Sequence, residues 1–128
     1  MRTPSAGDTS LVILASEEAS RSIDEWRRTH DVHYRIVPPH ITVAYPPFVP
    51  EEEWSLVRPF LVGLFSEFEP FTVTLSELDA FAEEDHVLWL KPEDKGTVKQ
   101  IRNLLAETLS SYVEELPLDY VPHVTVGF

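Results

Sequence analysis

Two stretches of this chain repeat one pattern, VPPHITVAY around His40 and VPHVTVGF around His123. Each runs Pro, His, a β-branched residue, Thr, Val, a small residue and an aromatic. Val, Ile and Thr favour strands, and on a strand residues i and i+2 point to one side. His40 and Thr42 therefore share a face, as do His123 and Thr125, while Ile41, Val43, Val124 and Val126 point the other way, into the core. An imidazole beside a hydroxyl, twice over and on rigid elements, suits the cleavage of a phosphodiester. That reaction needs a base to deprotonate the attacking oxygen and an acid to protonate the leaving oxygen, on opposite sides of phosphorus. Histidine, with an ordinary pKa near 6.5, serves either role around neutral pH. Threonine hydroxyls donate to the non-bridging oxygens, where the transition state must hold charge. Nothing in this scheme calls for a metal or another cofactor. One His-x-Thr carries little weight, because Thr is common in strands and a lone histidine is usually a packed or surface residue. Two copies with matching flanks point to one shared site.

The elements that must position these residues follow from periodicity. LVILA reads as a fully buried strand over about 11–15. Ser16 caps a helix over roughly 17–29, with Glu17 and Glu18 in its first turn and Arg27 and Arg28 at its end. Ala19, Ile23 and Trp26 give that helix one apolar face. HYRIV reads as a short strand, broken by Pro38-Pro39 before ITVAY resumes extended structure. Pro50 and Glu51–Glu53 start a second helix carried by Trp54, Val57, Leu61 and Leu64, with a kink or a break expected at Pro59. FTVTLSELDAF and HVLWL form a hairpin around an acidic AEED turn. Val98, Ile101, Leu105 and Leu109 define a third helix over roughly 95–112, and HVTVGF is the last strand. The order β-α-β-β-α-β-β-α-β belongs to an α+β domain. With 4 glycines and no Gly-rich phosphate loop, Rossmann and P-loop folds fit poorly.

Composition bounds the ligand. At 128 residues and 43% hydrophobic, the chain is expected to form one folded domain over 11–128 behind a flexible N-terminus, 1–10. Its net charge of −12 disfavours long duplex nucleic acid, since binding the backbone needs clustered cations. A phosphate ligand is therefore expected to be small, or gripped at one end in a locally favourable pocket. Having no cysteine, the chain has no disulfide, thiolate metal site or cysteine nucleophile. Leu11–Ala15 is too short for a signal-peptide core or a membrane span, so a cytoplasmic protein without membrane contact is expected.

At the paired motifs the chain resembles the two-histidine phosphoesterase superfamily, in the branch of 2′-5′ RNA ligase-like proteins and cyclic phosphodiesterases. The likeness spans nearly the whole chain, through PHITVAYPPF, PFTVTLSELDAF, VLWL and PHVTVGF. The family's paired histidine–threonine motifs fall on His40 with Thr42 and on His123 with Thr125. The resemblance implies a two-lobed α+β fold, with antiparallel sheets and flanking helices around a central cleft. It also implies action on 2′,3′-cyclic or 2′-5′ phosphodiester linkages in RNA ends or nucleotides. Family chains usually continue past the second motif, whereas this one stops at Phe128. A compact variant, a shortened chain with an incomplete C-terminal lobe, or completion by another copy would each account for that. A final strand left exposed would be an edge open to pairing, so a monomer or an edge-strand dimer is expected.

Other residues carry weaker signals. Tyr45, Phe48 and Tyr120 could stack on a base or ribose, although aromatics after strands are more often core. Arg35 could neutralise phosphate or form a surface salt bridge. His30 reads as a helix-end cation, His33 and His86 as strand-edge or turn residues, and Glu51–Glu53 and Glu83–Asp85 as solvated caps and turns. Two rival functions compete with this reading. A metalloprotein would need a histidine–carboxylate ligand motif, and neither His-x-x-x-His nor His-Glu-x-x-His occurs. A non-catalytic module could hold a nucleotide or RNA end in the same cleft without turnover.

Overall fold

Ser16 begins the first helix as its sequence demands: its side-chain oxygen accepts the Ala19 N–H at 3.2 Å in the computed structural model of the chain. The structure describes residues 8–46, 48–80, 87–112 and 120–127. In chain order these form β1 (Leu11–Leu14), α1 (Glu17–His30), β2 (His40–Ala44), a 3₁₀ turn (Glu51–Glu53), α2 (Trp54–Ser66), β3 (Thr74–Ala80), β4 (Leu88–Glu93), α3 (Thr97–Thr108) and β5 (Val124–Gly127). The strands join in a five-stranded sheet of order β1-β2-β5-β4-β3, antiparallel at β2/β5, β5/β4 and β4/β3. The fold is α+β, a five-stranded sheet with three helices, as expected. Among the described residues no helix is long and apolar enough to cross a membrane.

Contacts group the chain into two units. One comprises the described residues of Val12–Thr42, Val73–Glu93 and Pro122–Phe128, with α1, β3, β4, β5 and most of β1 and β2. Here Ile41, Val124 and Val126 are buried, as the motif alternation requires. The other comprises the described residues of Met1–Leu11, Val43–Thr72 and Asp94–Val121, and packs α2 on α3. Val57, Leu61 and Leu64 of α2 and Val98, Ile101 and Leu105 of α3 are buried at helical spacing. Of the ten residues expected to fray, 1–7 lie outside the described residues, and Thr9 is tied down. Its hydroxyl donates to the Val49 carbonyl at 2.6 Å and accepts the Val49 N–H at 3.0 Å.

Several expectations are corrected. HYRIV is not a strand. The Asp31 side chain accepts the His33 N–H at 2.8 Å, and the Tyr34, Ile36 and Val37 N–H groups bond back to Asp31 and His33 carbonyls. These local bonds consume the donors that a sheet ladder would need. On α1, Trp26 is 43% exposed and stacks on His30, while the buried residue is Arg27. β1 is a half-buried edge strand rather than a fully buried one, and Leu14 is exposed. α2 runs as one element through Pro59, a residue with no N–H to offer the Ser55 carbonyl. α3 starts at Thr97 because Lys95 and Gly96 take left-handed backbone (φ 59° and 82°), and the Asp94 carboxylate accepts the Gly96 and Val98 N–H groups. The AEED turn lies outside the described residues.

β5 sits inside the sheet between β2 and β4, not at an edge. Close packing there explains its glycine. A Cβ on Gly127 would lie 3.1 Å from the His30 carbonyl oxygen and 3.3 Å from the His30 Cβ. Gly127→Ala is expected to cost about 1–3 kcal/mol by overpacking the junction of α1 and β5. Chemical denaturation of the variant beside the parent chain measures this, and an unchanged midpoint would contradict it.

Candidate active site

The two motifs meet through one strand pair. Ile41 of β2 lies opposite Val124 of β5 in antiparallel register. One step outward along each strand sets His40 beside Thr125, and the step the other way sets Thr42 beside His123. Burial confirms the faces: Ile41, Val43, Val124 and Val126 are buried, while His40, Thr42, His123 and Thr125 are all half-buried. The four polar side chains form a two-by-two square on one face. Directly opposite pairs have Cβ atoms about 5 Å apart and diagonal pairs about 7 Å apart. The histidines occupy one diagonal and the threonines the other.

His40 has a defined tautomer. Its Nδ1 lies 2.8 Å from the Pro38 carbonyl oxygen, which can only accept, so Nδ1 carries a proton. In the neutral ring this leaves the lone pair on Nε2, the atom able to take a proton from a nucleophile. The Pro38-Pro39 pair thus does more than end the preceding segment: it presents the carbonyl that orients the ring. His123 packs edge-on against Trp89 of β4, with ring centroids 5.9 Å apart at 70°. Trp89 is buried and pairs with Thr125 across β4 and β5. Sequence reasoning did not single it out, although VLWL, as a strand beside a motif strand, carried the signal. On the same face Lys91, paired with Glu77 of β3, continues the row past His123.

The weaker candidates separate. Arg35 lies exposed in the turn before β2, in the same unit as the four motif residues. Tyr45 and Tyr120 belong to the other unit, where both are grouped with Arg102. The Arg102 guanidinium lies 4.1 Å from the centre of the Tyr120 ring and donates to the Val43 carbonyl. Burial raises the pKa of both phenols and Arg102 opposes it, so both hydroxyls stay protonated. Arg102 also went unnoticed in the sequence, though it occupies an apolar-stripe position between Val98 and Leu105. Phe48 is core. His30 bonds the Trp26 carbonyl at the helix end, His33 lies in the turn, and His86 lies outside the described residues.

Against known families, residues 15–128 match the model of the 2′-5′ RNA ligase superfamily. The chain belongs to the 2′-5′ RNA ligase superfamily. Among curated superfamily relatives, a Bacillus licheniformis protein is 30% identical over 118 residues, covering 91% of this chain and 68% of that protein. A Geobacillus kaustophilus protein is 26% identical over 117 residues, covering 91% and 66%. A Bacillus cereus protein is 28% identical over 117 residues, covering 91% and 67%. All three carry the name "Putative phosphoesterase". The chain spans about two thirds of the length of these relatives.

Proposed function

We propose that the chain is a phosphoesterase that opens 2′,3′-cyclic or 2′-5′ phosphodiester linkages in RNA ends or nucleotides by histidine acid–base catalysis, without a metal. The observation that carries this reading is the register of Ile41 with Val124, which sets two His-x-Thr motifs antiparallel on one sheet face. The phosphoesterase names of the superfamily relatives support the reaction class. In the proposed step, one imidazole takes a proton from water as its oxygen bonds to phosphorus. The other imidazole protonates the ribose oxygen as its bond to phosphorus breaks, leaving a phosphomonoester and a free hydroxyl. Thr42 and Thr125 donate to the non-bridging oxygens as their charge grows. The diagonal arrangement suits an in-line path, with base and acid at opposite corners and hydroxyls at the other two.

Hydrolysis of 2′,3′-cyclic AMP is expected to persist in EDTA and to follow a bell-shaped pH profile. The rate falls at low pH as the base becomes protonated, and at high pH as the acid loses its proton. The two limbs describe the pair of imidazoles rather than either ring alone. Rates over pH 5–9, with and without chelator, test this. Activity that appears only on adding a divalent ion, or no turnover at all, would overturn the reading.

A further inference from the structure

A cavity of about 650 Å³ opens beside the segment that carries His40, lined by Asp24, Arg28, Tyr34, Arg35 and the stretch from Ile36 to Pro38. All of it lies in the unit that holds the four motif residues. Arg28 and Arg35 are exposed, and among the described residues neither is ion-paired with a carboxylate. The acid in the lining, Asp24, is engaged by Arg27 at 3.0 Å. Arg27 is shared between Asp24 and Asp31, so Arg28 and Arg35 leave the lining and its backing with one net positive charge, on a chain whose net charge is −12. Its wall is fixed from behind: the Arg27 guanidinium donates to the Val37 carbonyl at 2.8 Å and to Asp31 at 2.8 Å. At its edge, Pro38 is the residue whose carbonyl accepts the His40 Nδ1 proton. Two residues of chain span at most about 7 Å, so a ligand group in this cavity neighbours one at His40.

We propose that this cavity binds a second phosphate of the substrate, held by Arg28 and Arg35, while the scissile phosphate lies at the His-x-Thr face. This rests on the phosphoesterase reading and deepens it: a substrate that carries a further phosphate is held more tightly than a mononucleotide. Guanidinium groups suit the task, since their planar forks match phosphate oxygens. Ile36, 78% exposed, adds an apolar surface for the sugar or base between the phosphates. The second phosphate can come from the next nucleotide of an RNA end or from a diphosphate on a single nucleoside.

Product-like ligands test this without turnover. The full chain is titrated calorimetrically with adenosine 2′-monophosphate, with the dinucleotide ApA bearing a terminal 2′-phosphate, and with 2′-phosphorylated ADP. At least one of the ligands with more than one phosphate is expected to bind about tenfold more tightly than the monophosphate, and which one does so names the source. The double variants R28A/R35A and R28Q/R35Q should lose that preference and keep monophosphate affinity. Arg58→Ala, on the exposed surface of α2, should change neither. Both variants alter exposed side chains, and their thermal melts should match the parent. Equal affinity of the parent chain for all three ligands, or a preference that survives in both double variants, would overturn the proposal. An arginine-dependent preference without hydrolysis of cyclic AMP would sink the catalytic reading and leave this one standing. Hydrolysis without the preference would do the reverse.

Discussion

His40→Ala and His123→Ala are each expected to slow hydrolysis of 2′,3′-cyclic AMP by about two to four orders of magnitude, the usual contribution of a general acid or base. The double variant should fall little below the worse single, because acid and base act in one step and removing either already breaks it. Thr42→Ala and Thr125→Ala should cost less, about ten- to a hundredfold, since each removes one hydrogen bond to a charged oxygen and leaves proton transfer intact. Stability should be largely kept. The four side chains are half-buried, and the neighbouring buried residues of the same unit, Ile41, Val124 and Val126, lie on the opposite face. Turnover measured beside a thermal melt separates the two effects. Near-full activity in both histidine variants, or a loss that tracks unfolding, would make these histidines structural.

Arg27→Met is expected to destabilise the protein by about 3–5 kcal/mol, the range seen when one partner of a buried ion pair is removed. Arg27 is 2% exposed and Asp31 6%. The guanidinium donates through Nε to Asp31 at 2.8 Å, through Nη1 to Asp24 at 3.0 Å and through Nη2 to the Val37 carbonyl at 2.8 Å. Methionine fills similar volume but leaves a buried carboxylate and a carbonyl without these donors, which explains a cost well above a surface substitution. Arg27→Lys should fall between, because a single ammonium cannot reach three acceptors in a fork. Typical domains have only about 5–15 kcal/mol in total, so the loss should be plain in a urea titration. A midpoint within error of the parent would show that the triad adds nothing net.

The candidate set of histidines and threonines was legible because it depends on period two. Alternation in HITV and HVTV determines which side chains share a face whatever the strand is paired with, and the burial of Ile41, Val43, Val124 and Val126 follows that alternation. The helices were legible for the same kind of reason: Val57, Leu61 and Leu64, or Val98, Ile101 and Leu105, recur at helical spacing and are buried. Ser16 could be read as a cap because its bond reaches only three residues.

What tertiary structure alone decided involves partners distant in the chain or polar groups that are buried. That β2 neighbours β5, with Ile41 opposite Val124, depends on how the whole sheet closes, and no local preference encodes it. The same closure puts the last strand inside the sheet when its position in the chain suggested an edge. Arg27 and Arg102 occupy buried positions that hydrophobic patterning assigns to apolar residues, because their donors find acceptors only in the folded chain. HYRIV has the composition of a strand, but the Asp31 carboxylate turned it by taking the His33 N–H. Arg28 and Arg35, no cluster in the linear sequence, line one cavity because of that turn. Local residue types and spacing determined which groups could do chemistry here; long-range strand pairing and side-chain hydrogen bonding decided which of them stand together, since both depend on contacts that exist only once the chain has folded.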